Sequence, residues 1–480
     1  MVSLGLYLRP KSESECEHLR TDIAAAQLLE LLAHDDFEHA QPIAERILAG
    51  GDQTDDDDVL AAAVTTLGVI AWSEGRVADA LGLLHAAVRR ADRLPAATRQ
   101  TRARFALARA MVSTGEFDNA HACVEAERRE VDASSGIAWT AAPSVVDGRI
   151  HLAAGRLDAA AAAAEHGLCV AARLGTHFLT PCAHSTLAVV ALRRGEMRAA
   201  ASHVTMLRAG PPERLGSGAV VCDWVEGLVR EAREGPERAV ALLGSVYDGE
   251  PGSTRLFVEE PGAASWLVRV ALRVGEFSSA AAVAGAAARL AAANPSIGPL
   301  VAAGHHARGL LDQDADLLQR SAAEYASPWD RAAAQEDAAV ALFARSENDG
   351  ARAALSDAIA AYVRIGAPRD AARARARQRA AGRRRRAPTE RATCGWESLT
   401  GAELRVAGQV ARGLTNRAVA ESMNLSRHTI DFHLRRTFRK LGVRSRVQLT
   451  RLVLEQQIGG LGRSESRTSD HAIAGCAGSG

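Results

Sequence analysis

The chain has 480 residues, 47% of them hydrophobic but only 4% aromatic. That length is enough for several cores, while the shortage of aromatic residues and the abundance of alanine exclude an ordinary β-sandwich and favour helices. The formal net charge of +1 hides an uneven layout: acidic residues outnumber basic ones 48 to 35 over residues 1–366, whereas basic ones lead 10 to 2 over 367–395 and 11 to 5 over 396–457. Contact with a polyanion therefore falls to the C-terminal part.

The opening MVSLGLYLRPKSESE has neither the charged start nor the long apolar core of a secretory signal, and no later apolar run reaches the length of a membrane-spanning helix. A cytoplasmic protein with no membrane partner is expected. Cys16, Cys123, Cys169, Cys182, Cys222, Cys394 and Cys476 are scattered without CxxC pairs or neighbouring histidine clusters. Buried reduced thiols are expected, and no metal site.

Residues 1–366 are governed by a repeat. Gly75, Gly115, Gly155, Gly195, Gly235 and Gly275 stand forty residues apart, with Asp35 and Ala315 in the same phase at either end. GRVADA, GEFDNA, GRLDAA, GEMRAA and GEFSSA share one pattern, with DDFEHA ahead of them. A helical stripe precedes each glycine (VTTLGVIAWSE, RFALARAMVST, STLAVVALRR, ASWLVRVALRV) and another follows it. The pattern predicts helix, tight glycine turn and helix, stacked about eight times as a helical-hairpin solenoid. It resembles a tetratricopeptide repeat, whose usual period is about 34 residues. The longer period predicts loops between hairpins, GPPERLGSG and DGEPGSTR among them. Alanines 80, 120, 160, 200 and 280 are placed for close helix approach, and the curved groove of such an array is suited to an effector or a protein partner.

Residues 367–395 open as helix and then, with Arg383 to Arg386 and Pro388, read as a basic linker that tethers and adds non-specific phosphate contacts. Residues 396–457 read as four short helices. Thr400 and Glu403 form a capping box and Gly413 ends the first helix. Thr415 caps the second, in which Val419, Ala420 and Met423 share a face, and Asn424 suits the following turn. Ser426 caps the third, where Ile430, Leu434, Thr437 and Leu441 form a core-facing stripe; Asp431, Phe432, Arg435, Arg436, Arg439 and Lys440 are left facing outward. His433 is expected to pack. Gly442 ends that helix and Ser445 caps a fourth that runs to about Gln456. Residues 458–480 are small and polar, reading as a disordered tail.

The run LT..E..V followed by GLTNRAVAESMNLSRHTIDFHLRRTFRKLGVRSR resembles the LuxR-type DNA-binding domain, densely and without gaps. The resemblance implies an all-α four-helix domain whose third helix enters the major groove and whose fourth helps two copies pair. By the same resemblance, Asp431, Phe432 and Arg435 take base-reading positions, and Arg417, Ser426, His428, Thr429, Arg436, Arg439 and Lys440 take phosphate-gripping ones. Two departures are Gly408 inside the first helix and Thr437 in place of an aliphatic residue. Larger LuxR-type regulators with helical repeats often carry an ATP-binding domain. Here the two lysines, Lys11 and Lys440, follow no glycine-rich loop, so the P-loop lysine is missing.

These residues point to a sequence-specific regulator of transcription that binds duplex DNA as a homodimer, with RNA polymerase a further candidate partner. The competing reading is an interaction scaffold whose helix-turn-helix serves dimerisation or polymerase docking. No nucleophile and base stand at motif spacing, so the sequence assigns no catalytic residue, cofactor or metal, and an enzyme is not expected.

Overall fold

The structure, a computed structural model, describes residues 26–28, 30–32, 36–50, 57–94, 103–133, 139–176, 179–209, 218–247, 252–386, 395–423 and 425–455. Among these, all regular structure is helical, and no helix is long and apolar enough to cross a membrane. The chain divides into two compact units, one of Met1–Val274 with Ala282–Ala381 and one of Gly275–Ala281 with Gly382–Gly480. The first unit begins with α1 (Phe37–Ala49), followed by α2 (Asp57–Ser73), α3 (Val77–Ala91), α4 (Ala103–Thr114) and α5 (Phe117–Ala133). Next come α6 (Ala142–Ala153), α7 (Leu157–Leu174), α8 (Thr180–Arg194), α9 (Met197–Leu207), α10 (Ala219–Glu234) and α11 (Pro236–Leu242). The remainder comprises α12 (Gly244–Tyr247), α13 (Gly252–Glu259), α14 (Ala263–Val274), α15 (Phe277–Ala293), α16 (Gly298–Asp312), α17 (Ala315–Glu324), α18 (Pro328–Ala344), α19 (Asn348–Ile365) and α20 (Pro368–Arg386).

Helices pair as antiparallel hairpins, α2 with α3, α4 with α5, α6 with α7, α8 with α9 and α10 with α11. The six glycines at forty-residue spacing each close a turn with φ between 74° and 102°, a backbone region that side-chain-bearing residues adopt only at a cost. Close approach is achieved as the repeat implies: Ala80, Ala120, Ala160, Ala200 and Ala280 are all 0% exposed. The period breaks toward the end. Gln313, with φ 56°, takes the left-handed position that the forty-residue phase assigns to Ala315, and Ser346 takes the next at φ 68°. Ala315 instead opens α17, whereas Asp35 lies outside the described residues.

Two segments differ from the sequence reading. Gly252 to Arg255, expected within a loop, belong to α13, because Leu256, Phe257 and Val258 are buried and pull that turn into the array. The stretch from residue 367, read as opening in helix before a basic linker, is helix as far as Arg386 and packs into the array: Ala367, Ala371 and Ala374 are buried against α18 and α19. Asp370 accepts from Trp329 Nε1 at 3.0 Å, and Arg373 bonds Glu336. Alternation of arginine with alanine gives α20 one small apolar face that residue counts alone do not distinguish from a tether. Residues 387–394, the tail and loop 210–217 lie outside the described residues.

The array also winds back on itself. A Cβ on Gly75 would meet Leu290 Cδ1 at 2.7 Å, one on Gly115 would meet Ala326 Cβ at 2.4 Å, and one on Gly155 would meet Ile365 at 3.3 Å. Each early turn thus packs on a hairpin about 200 residues later. Asn294 fastens the first contact, donating to the Gly75 carbonyl at 2.8 Å and accepting from the Val77 amide at 3.0 Å. Gly115→Ala combines left-handed strain with a clash and is expected to cost about 2 kcal/mol or more. A urea midpoint unchanged by this substitution would show that the turn does not abut Ala326.

Candidate DNA-binding unit

The C-terminal unit holds α21 (Gly401–Ala411), α22 (Asn416–Ser422), α23 (Arg427–Leu441) and α24 (446–455). The starts of all four follow local capping chemistry. Thr400 and Glu403 make the reciprocal capping box, Thr415 Oγ1 accepts from Ala418, Ser426 Oγ accepts from Thr429 at 3.1 Å, and Ser445 Oγ accepts from Gln448. Gly413 and Gly442 supply the left-handed stops at φ 89° and 67°. One core joins the helices: Val406, Val410, Val419, Ala420, Ile430, Leu434, Leu449 and Val453 are buried together, with Leu441 packed at the edge. Gly408 lies in α21 with open space where a Cβ would stand. His433 is buried and meets the Phe432 ring edge-on at 5.9 Å.

The outward residues of α23 differ in exposure. Arg435 and Arg439 are exposed, whereas Asp431, Phe432, Arg436 and Lys440 are half-buried. For Arg436 and Lys440 the cause is Glu403, which is 1% exposed. Besides closing its capping box, its carboxylate receives Lys440 Nζ and lies 3.4 Å from Arg436 Nε. Arg436 also covers the Phe432 ring at 5.6 Å. Burial pushes the Glu403 carboxyl up, but the Lys440 ammonium and the Thr400 amide outweigh it, so it titrates below the ordinary value of 4.5.

Asp431 is committed as well. Its Oδ1 accepts from Asn416 Nδ2 at 2.7 Å, and Asn416 Oδ1 accepts from Arg446 Nη1 at 2.9 Å, while Arg446 also bonds the Leu414 carbonyl. Arg435 does not reach the Asp431 carboxylate; its Nε donates to the Asp431 carbonyl at 3.3 Å. Arg446, Asn416 and Asp431 therefore lock α24, the start of α22 and α23 into one frame. Sequence reasoning missed Asn416 and Arg446, whose one available signal was two polar residues beside helix caps. Arg417 is exposed and paired with Glu421 at 2.9 Å; Ser426 is half-buried and Thr429 buried, their hydroxyls 2.7 Å apart. The His428 side chain lies outside the described residues. In this arrangement Arg427, Arg435 and Arg439 are the exposed residues of α23 among those described.

His121, Glu125 and Asp147 lie close enough to share a cation, but Arg128 already bonds both carboxylates. Of the described cysteines, Cys222 is buried, and burial pushes its thiol up to about 11. Cys123 and Cys182 are half-buried. Cys169 is exposed, against the expectation of burial, because it sits on the outer face of α7.

This unit matches the family model described as bacterial regulatory proteins, luxR family, over residues 397–453. Residues 397–453 are a luxR-family domain. Over 59 residues the chain is 46% identical to the nitrate/nitrite response regulator protein NarP of Escherichia coli (strain K12), covering 12% of this chain and 27% of that protein. It is 43% identical over 60 residues to the nitrate/nitrite response regulator protein homolog of Haemophilus influenzae, covering 12% and 29%. The chain thus matches somewhat more than a quarter of the length of these curated relatives, all of it around the luxR-family domain. The helical fold ahead of that domain is like that of a Rap protein solved in complex with Competence and Sporulation Factor: TM-score 0.53, 9% identity, covering 72% of this chain and 98% of that one. At that identity the likeness concerns the fold alone.

Because Glu403 is depressed, its contribution to the luxR-family domain is present above about pH 4.5 and is lost as pH falls through its folded value. Glu403→Gln is expected to lower the melting temperature of this unit at pH 7, and the gap to wild type should narrow as pH falls below 4.5. Calorimetry across that range checks this; a gap independent of pH would assign the loss to the cap alone. Thr437, 0% exposed with no hydrogen-bond partner for its hydroxyl, invites the opposite change. Thr437→Val is expected to stabilise by about 1 kcal/mol, read as a raised denaturant midpoint at unchanged slope.

Proposed function

We propose that the protein is a sequence-specific DNA-binding regulator of transcription, in which residues 396–457 read duplex DNA as a dimer and the helical array takes an effector or protein partner. The observation that carries this reading is the luxR-family match lying on a fully capped helical unit whose α23 presents Arg435 and Arg439 to solvent. Two relatives over this segment are named as response regulators. The array's fold is like that of a Rap protein solved with Competence and Sporulation Factor bound, which supports a partner or effector for the array here. A cytoplasmic setting follows from this reading.

Arg435 is the base reader, offering a guanidinium to O6 and N7 of a guanine, with Phe432 beside a thymine methyl and Asp431 near a cytosine amino group. Asp431 contributes mainly by holding the frame, since Asn416 already occupies its carboxylate. Arg417, Ser426, His428, Thr429, Arg436, Arg439 and Lys440 position the domain on phosphates. Among them Arg439 gives the clearest test, because Arg436 and Lys440 are also tied to Glu403.

Selection of bound duplexes from a random pool by the full chain is expected to return paired half-sites about one helical turn apart. On such a site Arg435→Ala should cost about 1 to 3 kcal/mol while sparing non-specific duplex. Arg439→Ala should weaken all duplexes alike and flatten the salt dependence by about one unit. Anisotropy titrations of both variants at several salt concentrations decide this. Equal loss on cognate and scrambled DNA for Arg435→Ala would reduce that residue to a phosphate contact, and failure to select any sequence would sink the regulator reading in favour of a scaffold.

A further inference from the structure

The helical array encloses a cavity of about 1020 Å³, the size of a site for a small organic molecule. Its wall is unusual for this chain in two respects. Four of the six tryptophans, Trp139, Trp224, Trp266 and Trp329, line it. It is also dense in arginines, nearly all of them neutralised by neighbours on the same wall. Arg109 and Arg149 pair with Glu259, Arg269 with Asp337, Arg273 with Glu231, and Arg373 and Arg377 with Glu336.

Arg193 and Arg369 depart from that rule. Both line the cavity, and among the described residues neither has a carboxylate within ion-pairing distance. They share one part of the wall, since Arg369 Cβ lies 3.8 Å from the position a Cβ would take on Gly195, two residues beyond Arg193. Arg193 is half-buried and stacked on Trp329 at 4.6 Å, with its Nη1 sealed and lacking any acceptor. Trp224 Nε1 is a second donor on this wall without a partner. Asp330, Asp370 and Glu260 act on Arg193 across the wall, but none of them pairs with it directly. The acid on the other side of Arg369, Asp370, is taken by Trp329 and Arg373. An array that pairs six cavity arginines internally and leaves two without a direct ion pair beside a tryptophan face is matched to an anion from outside.

We propose that this cavity binds a small amphipathic organic carboxylate, its anionic group held by Arg193 and Arg369 and its flat apolar body lying against Trp329 and the neighbouring tryptophans. The proposal rests on the reading of the array as the effector-taking part of the protein and names the effector's chemical class. The planar guanidinium of Arg193 is already oriented by its stacking on Trp329, so little side-chain freedom is lost when a carboxylate docks.

The test uses the full chain without DNA, so that its outcome is independent of whether residues 396–457 read a sequence. Benzoate, indole-3-acetate and 2-naphthoate are titrated alongside the neutral 2-naphthamide, with tryptophan fluorescence and calorimetry as readouts. At least one carboxylate is expected to bind saturably and to quench tryptophan emission, with 2-naphthamide weaker than 2-naphthoate by about tenfold or more. Arg193→Gln and Arg369→Gln should each weaken carboxylate binding by a similar factor while leaving 2-naphthamide unaffected. Arg369→Gln loses no ion pair, so its melting temperature should not fall, whereas Arg193→Gln gives up its stacking on Trp329. If Arg193→Gln fails to fold, Arg369→Gln and the carboxylate-to-amide comparison on wild type still decide the matter. Equal binding of naphthoate and naphthamide, absence of saturable binding by every carboxylate, or capture of a glutamate-rich peptide in their place would each overturn the proposal.

Discussion

A buried carboxylate in an all-helical array is tolerated only where enough cations and N–H donors converge on it, and Glu259 draws them from helices far apart in sequence. Trp72 Nε1 from α2 and Arg109 from α4 each donate to it at 3.0 Å, and Arg149 from α6 at 3.1 Å; Ser113 and Arg149 bond its carbonyl as well. Burial raises the carboxyl, but Arg109, Arg149 and the Trp72 N–H outweigh it and hold it below the ordinary range. Such a cluster adds little stability compared with an apolar plug of the same volume, whereas loss of one partner costs several kcal/mol. Its effect is therefore on geometry: α13 has one seat that satisfies the charge, and that seat fixes how the second half of the array meets the first.

The same logic recurs at the other end of the wall. Asp337 takes Arg269 and His306 Nε2, the latter at 3.1 Å, while Glu336 takes Arg373, Arg377 and the Tyr362 hydroxyl at 3.1 Å. Burial pushes Asp337 up, yet Arg269 and His306 hold it far below the usual carboxylate range. Neighbouring hairpins in a solenoid are joined chiefly by apolar packing, which here is alanine on alanine and specifies register weakly. Directional charge pairs between α14, α16, α18 and α20 supply what small side chains lack. This is also why α20 belongs to the array although its composition is that of a tether.

The hairpin repeat and the four C-terminal helices were legible because their signals are local. A glycine at a left-handed turn, an alanine at a close approach and a Ser or Thr before a helix each act within a few residues, and all leave a pattern in the sequence. The slip of the turn to Gln313 was not legible, since that residue takes φ 56° without a sequence mark comparable to glycine. Glu259, Asn294 and the turns packed on hairpins about 200 residues away leave no periodicity at all. In the C-terminal unit the caps, stripe and stops could be placed one by one, but the hold of Glu403 on Arg436 and Lys440 joins residues more than thirty apart. From sequence, those two basic residues looked equivalent to Arg439.

That difference bears on how the proposed DNA contact works. An exposed arginine such as Arg439 gives up only water and counterions when it meets a phosphate, so its gain is almost wholly the release of those ions. Arg436 and Lys440 start from a carboxylate that is 1% exposed, and moving either cation fully to phosphate would leave that charge undercompensated in a poorly solvated place. Sharing is the arrangement with the smaller cost: the cations remain beside Glu403 and offer their remaining donors outward. Their contribution to affinity is then smaller than that of Arg439, while their contribution to the angle between α21 and α23 is larger. On the proposed reading, one buried glutamate, placed by a capping box on a helix that need not touch DNA, sets how far Arg436 and Lys440 can turn to phosphate.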